Sequence, residues 1–479
     1  MTSSARAGWA PAIAGMSARQ KSLAFFTLIV ALVLEIVDTT IVNTALPAIQ
    51  ADFGGSSAHA QWVVVGYSLS FAVLLMLGGR LGDLFGCRAM FLLGVAGFTV
   101  ASILCGGAQN AEQLVWARVL QGAAGAIMGP QVLALIQILY EPVERIGRLA
   151  WFGVIGGLSA IAGPILGGLL IGANLFGLGW RSVFLVNGPI GVMAVIAGLF
   201  LLPRAETKGN VRQVDLVGTL QFGGALAALL YPLVWGERLE WHWPIALYLG
   251  AAVVLALAGW RGLKRRAAAG GAVIFDPALF ANHPFRQGLV VAITFSAANT
   301  GFLFIFAYSL QRQLGYSPLE TGLIHMPFSA GVMFGIAFIG RRFLARAGKY
   351  VLIGGLALMA MFEGGALVWI AAGGPGFAVL VPMLVAAGVG MGMLSGPIPP
   401  VTVARVERHH AGAASGILKT VQQMGAAIGV AVMGTVYFAF AGCGVVAALA
   451  VLETLILLCF VMTVRLPSDI FPSSTTHSA

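Results

Sequence analysis

Apolar residues fall along this chain in long blocks without alternation. Fourteen stretches, each long enough to cross about 30 Å of hydrocarbon as an α-helix, are separated by short polar punctuation. They run over 22–48, 61–79, 89–108, 113–139, 150–172, 182–202, 215–236, 243–261, 287–310, 319–340, 350–372, 376–400, 412–437 and 443–464. Two longer breaks, Pro203 to Val214 and Arg261 to Arg286, set the seventh and eighth spans apart between two blocks of six. The expected organisation is a cytoplasmic tail over 1–21, a six-helix bundle over 22–202, a linker with spans 7 and 8 over 203–286, a second six-helix bundle over 287–464, and a cytoplasmic tail over 465–479.

Composition agrees with spans before domains. Of 479 residues, 59% are hydrophobic and only 9% charged, whereas a soluble domain carries about 25% charged residues. The tail from Met1 to Lys21 is polar and the stretch behind it is too long for a signal-peptide core, so an uncleaved first span is expected. Cys87, Cys105, Cys443 and Cys459 are scattered without CxxC spacing and suggest neither a disulfide frame nor a metal site.

A net charge of +10 would suggest nucleic acid in a soluble chain. Its distribution says otherwise. With the N-terminus inside, 22 of the 27 basic residues fall in cytoplasmic segments, among them Arg6, Lys208, Arg212 and Arg408, and only Arg181, Arg238 and Arg312 lie outside. Arg118 and Lys419 fall within spans. That asymmetry is the positive-inside signal, so both termini are expected in the cytoplasm and nucleic acid is set aside.

The two blocks of six echo each other. After the second span of each, Gly79-Arg80-Leu81-Gly82-Asp83-Leu84-Phe85-Gly86-Cys87-Arg88 aligns without gaps on its glycine with Arg341-Arg342-Phe343-Leu344-Ala345-Arg346-Ala347-Gly348-Lys349-Tyr350. The fifth span of each carries glycines four apart, Gly163 and Gly167 in one and Gly425 and Gly429 in the other. Paired six-helix bundles are a transporter architecture suited to alternating access.

These residues resemble the major facilitator superfamily, and within it the fourteen-span drug:proton antiporters. Asp38-Thr39-Thr40-Ile41-Val42-Asn43-Thr44-Ala45-Leu46-Pro47 is similar to the first-helix signature of that subfamily. Gly79 to Arg88 resembles the superfamily's signature between spans 2 and 3, with Leu84 and Cys87 where basic residues are usual. Arg118-Val119-Leu120-Gln121-Gly122 resembles the fourth-helix motif, and Gly163-Pro164-Ile165-Leu166-Gly167-Gly168 the antiporter motif of the exporters. Trp180 to Asn187 and Val421 to Gly425 fit the same subfamily. The resemblance implies an all-α polytopic membrane protein of two six-helix bundles plus two extra central helices.

Asp38 sits about 24 Å into the first span at 1.5 Å per residue, where an ionised carboxylate is costly unless it is paired or faces water. That makes it the candidate proton carrier, the alternative being a structural acid satisfied by Thr39, Thr40 and Asn43. Glu35 lies one turn before it on the same face, and two close carboxylates resist ionising together, which favours proton exchange. Arg118 enters the fourth span from outside to a depth of about 10 Å, against about 14 Å for Asp38. The two can meet, as a gate on the proton or as a fixed pair.

Gly79, Asp83, Gly86 and Arg88 form the expected cytoplasmic gate motif, with Asp83 able to pair with Arg80 or Arg88. Ala345 replaces that aspartate in the second block. Gly163, Pro164, Gly167 and Gly168 permit close helix approach and a bend. Gln121, Asn299, Phe302 and Phe306 are candidates for a substrate cavity, which needs adaptable apolar walls with few polar groups; packing against lipid or other helices is the plainer reading. Lys419 is expected to snorkel, His325 either to assist proton transfer or to be a satisfied histidine, the plainer reading, and the resemblance puts Glu363 and Glu453 on peripheral spans as structural or lipid-facing groups.

The expected function is proton-coupled antiport that exports hydrophobic, cationic drugs or toxic compounds across the cytoplasmic membrane, without cofactor. The expected partners are those substrates, protons and membrane lipids. The chain is expected to act as a monomer, with a periplasmic adaptor as the one protein partner to consider. An exporter dedicated to one metabolite or self-made antibiotic is the alternative. A lipid enzyme is the remote one, because the chain carries no HExxH and no paired cysteines, and Glu407 to His410 make only a polar loop.

Overall fold

The computed structural model describes residues 15–54, 56–204, 215–235, 244–374, 376–407, 410–440 and 442–466. Arg6, Lys208, Arg212, Arg238, Arg408 and His409, most of both tails and the side chains of Arg341 and Ala345 lie outside the described residues. Fourteen helices are long and apolar enough to cross a membrane, and no strand occurs among the described residues. They are α1 (Ala18–Phe53), α2 (Ser57–Phe85), α3 (Cys87–Gly106), α4 (Ala111–Leu139), α5 (Pro142–Ala173), α6 (Gly179–Leu201) and α7 (Leu216–Trp235). The rest are α8 (Pro244–Ala268), α9 (His283–Arg312), α10 (Pro318–Ile339), α11 (Lys349–Ala371), α12 (Phe377–Val403), α13 (Ala411–Ala439) and α14 (Gly444–Val464).

Local chemistry sets where these helices begin. Ser17 opens α1 and Ser317 opens α10 with full capping boxes, to Gln20 and Glu320. Asn110 and Asn282 cap α4 and α9 by accepting from the amides of Gln113 and Phe285. At the start of α7, Asp215 accepts from the Gly218 amide at 2.8 Å and pairs with Arg266 of α8 at 3.3 Å, tying the central helices at one end.

The chain divides into two compact units, Met1–Ala228 with Leu249–Ile274, and Leu229–Tyr248 with Phe275–Ala479. In the first, α4 packs on α2 and α3, α1 on α5 and α6, and α3 on α6. In the second, α12 packs on α10 and α11, α9 on α13 and α14, and α11 on α14. Each pairing in one unit has its counterpart eight helices later, so the echo between the blocks is also a repeat of packing.

The aligned glycines explain part of that repeat. Gly86 has φ of 94° and Gly348 φ of 51°, a left-handed range that penalises a side chain. Both sit at the turn into the third helix of their unit. The rest of each aligned segment is helical, Gly79–Phe85 ending α2 and Arg341–Ala347 forming a short helix after a π-helical turn at Gly335–Gly340. The expected loops are therefore helix ends around one glycine pivot.

Candidate functional site

In the first unit residues of five spans join in one network around a buried acid. Asp38 of α1 is 0% exposed and Arg118 of α4 is 1% exposed. Arg118 Nη1 donates to Asp38 Oδ2 at 2.5 Å. One turn further along α4, Gln121 Nε2 donates to Asp38 Oδ1 at 2.8 Å, and Asn187 Nδ2 of α6 donates to the same oxygen at 3.1 Å. The carboxylate thus accepts three hydrogen bonds, one from a formal cation, which is what an ionised acid needs away from water.

Arg118 is held as firmly as the acid it pairs with. Its Nε donates to the Val63 carbonyl at 3.1 Å and its Nη1 also to Gln121 Oε1 at 2.7 Å. Its guanidinium lies 4.3 Å from the centre of the Tyr67 ring and 5.7 Å from that of Phe184, within cation–π range. Asn187 also donates to Ser102 Oγ at 3.0 Å, and Ser102 donates to the Phe184 carbonyl at 2.9 Å. The result is one connected network through α1, α2, α3, α4 and α6. Removing one partner of such a pair costs about 3–5 kcal/mol, because the other charge is left buried.

The residues expected from sequence separate into three groups. Asp38 and Arg118 meet, as their depths anticipate. Gln121, grouped beforehand with the substrate cavity, is fully buried and bonded to both members of the pair. Glu35 is buried one turn away, and it and Asp38 both lie within electrostatic reach of the buried Tyr67 phenol. Asn187 ends the Trp180 to Asn187 motif, to which the sequence attaches no role, and Tyr67 and Ser102 lie outside every motif; lone polar groups within apolar spans are the signal that marks them.

The gate motif does not close on itself here. Arg88 Nη2 donates to the Leu199 carbonyl at 2.7 Å, capping the end of α6, and so does not pair with Asp83. Asp83 is exposed and lies within electrostatic reach of Arg80. Gly82 accommodates the Gln131 amide, whose Nε2 donates to the Gly78 carbonyl at 2.8 Å. In the antiporter motif, a Cβ at Gly163 would collide with Thr40 and one at Gly167 would lie 2.9 Å from Ile41. The motif therefore seats α5 on the turn of α1 that follows Asp38.

At the outer end, Asp52 Oδ2 accepts from Trp180 Nε1 at 3.0 Å and Arg181 Nη1 at 2.8 Å, joining α1 to α6. Trp180 and Arg181, which open the Trp180 to Asn187 motif, thus hold the first span.

In the second unit Phe302 and Phe306 are fully buried and stacked 5.3 Å apart, with Phe328 6.0 Å from Phe302. Asn299 Oδ1 is buried and finds no hydrogen-bond partner among the described residues. His325 Nδ1 lies 2.7 Å from the Thr321 carbonyl, so it is a satisfied histidine. Glu363 is not lipid-facing: it is 0% exposed.

A membrane protein of two repeated six-helix units, with a charged network buried in one of them, has the frame of a transporter. The Major Facilitator Superfamily model matches residues 28–219, 216–430 and 289–474, and the chain belongs to that family. It is 41% identical over 418 residues to the protein named Probable actinorhodin transporter of Streptomyces coelicolor, covering 86% of this chain and 71% of that one. It is 34% identical to Multidrug resistance protein Stp of Mycobacterium tuberculosis, covering 84% and 73%. The solved structure of a bacterial homologue of the human lysosomal transporter Spinster, inward-facing and unoccupied, superposes with a TM-score of 0.63 at 16% identity. It covers 95% of this chain and 97% of that one, and shows the fold.

Proposed function

We propose that this protein is a proton-coupled antiporter that exports hydrophobic, cationic compounds across the cytoplasmic membrane, with Asp38 as the proton carrier and Arg118 as its counter-charge. The observation that carries the reading is the Asp38 network: a buried acid whose donors come from α4 and α6, so that its protonation state and the packing of three helices are linked. Protonating Asp38 removes the charge that holds Arg118, and the guanidinium then re-forms its hydrogen bonds elsewhere as the helices shift. Deprotonation restores the arrangement described above.

The magnitudes are compatible with this coupling. One proton moving down 100 mV yields about 2.3 kcal/mol, the same order as the about 3–5 kcal/mol at stake in a buried ion pair. One charge per cycle supports about 40-fold accumulation. The driving force is the proton gradient, without a cofactor, and the chain works as a monomer.

The two relatives support two breadths of substrate, since one is named for a single antibiotic and the other for multidrug resistance. An exporter dedicated to one antibiotic is therefore the second reading. A dye and antibiotic uptake screen in everted membrane vesicles, with and without a proton gradient, tests both. Gradient-dependent uptake of several unrelated cations is expected. Uptake of one compound alone would select the dedicated exporter, and uptake indifferent to the gradient would contradict proton coupling.

A further inference from the structure

The second unit buries a carboxylic acid of its own. Glu363 of α11 is 0% exposed, and neither carboxyl oxygen has a hydrogen-bond partner among the described residues. Glu453 of α14 lies across the α11–α14 seam, within electrostatic reach of Glu363. Its carboxyl oxygen rests against Gly364, where a Cβ would collide with it. The depths agree: Glu363 is about 12 Å from the outer end of α11 and Glu453 about 14 Å from the outer end of α14.

Among the described residues no cation is recorded against these acids. The elements packed on α11 are α12, α14, α9 and the short helix Arg341–Ala347, and α13, packed on α14, carries Lys419 about 30 Å from its outer end and Tyr437 in its last turn. Helix α12 carries no titratable side chain. Helix α14 adds only Cys459, whose thiol donates to the Val291 carbonyl at 3.6 Å. On α9, His283, Arg286 and Arg312 stand in the end turns, and the Tyr308 ring packs on Phe304, Tyr437 and Phe438. The arginines of the short helix and Lys349 stand at the cytoplasmic end, with Lys349 donating to the Val464 and Leu466 carbonyls.

We propose that Glu363 and Glu453 form a second proton-binding site, in which one proton is held between the two carboxyls independently of Asp38. An ionised carboxylate without donors is the costliest state at this position, and two neighbouring carboxylates cannot both stay ionised. A protonated Glu363 needs an acceptor for its O–H, and Glu453 offers one. Glu453 is only half-buried, and Gly364 leaves the space for the two acids to face each other.

Infrared difference spectroscopy on the full chain in liposomes, with 13C-labelled glutamate, tests this. The carbonyl stretch of a protonated glutamic acid is expected at neutral pH, reversibly lost as the bulk pH is made alkaline. It is expected to vanish in Glu363→Gln and to persist in Asp38→Asn. In Glu453→Leu, which removes the acceptor, it is expected to shift to the higher wavenumber of a free acid. A Glu363→Gln spectrum equal to wild type would overturn the site, as would a band that no bulk pH removes. An unshifted band in Glu453→Leu would overturn the pairing even if Glu363→Gln failed to fold.

Discussion

Asp38 and Glu363 are both fully buried, one in each unit, yet their surroundings are opposite. Asp38 accepts from Arg118, Gln121 and Asn187, whereas Glu363 accepts from no described residue and faces a second acid. They stand on non-equivalent helices of the repeat, Asp38 on α1, whose counterpart is α9, and Glu363 on α11, the counterpart of α3. Two copies of one packing scheme thus hold acids at different places and of opposite character: the first unit buries an ion with its counter-ion, the second an acid whose cheapest state is neutral. Burial alone does not define a proton site; the donors around the oxygens decide which protonation state the fold supports.

The largest effect that sharpens this contrast is expected from Arg118→Ala, which leaves Asp38 ionised and uncompensated. Thermal unfolding in detergent should show a loss of about 3–5 kcal/mol, most of it recovered when Asp38→Asn is added. Additive losses would mean that the two residues do not act as a pair.

The glycine seams should give smaller losses, of about 1–3 kcal/mol by overpacking. A Cβ at Gly163 meets the Thr40 hydroxyl and Cβ, and one at Gly425 meets the Ile293 backbone carbonyl, so neither position has room for one unless the helices move. Gly163→Ala and Gly425→Ala should each fall in that range in the same assay, and a variant as stable as wild type would show that its seam is not close-packed.

The smallest effect belongs to Glu363→Leu. Replacing a neutral acid whose one hydrogen bond is to Glu453 with an apolar side chain should change stability by no more than about 1 kcal/mol. A loss as large as that of Arg118→Ala would place an ion pair at Glu363 and erase the contrast.

Much of this was legible in the sequence because the bilayer imposes it. Fourteen apolar blocks become fourteen helices, and 1.5 Å per residue suffices to put Asp38 and Arg118 at matching depth. Depth is a one-dimensional quantity, however, and helix rotation is not. Gln121 was assigned to a cavity because nothing in Arg118 to Gly122 states which way its amide turns, and the structure turns it onto Asp38. Asn187, Ser102 and Tyr67 are single polar residues in apolar spans, and only packing makes them one network. The resemblance puts Glu363 on a peripheral span, and its burial comes from the α11–α14 seam, a contact that its own sequence neighbours do not encode.

The central claim is that Asp38 carries the proton. The most direct test reconstitutes Asp38→Asn in proteoliposomes with a pH-sensitive dye on the side from which substrate is taken up, and follows proton movement on substrate addition to that side. The account predicts no substrate-induced proton release above that of empty liposomes, from a protein that unfolds at a temperature close to wild type. Proton release at the wild-type rate from that variant would contradict it.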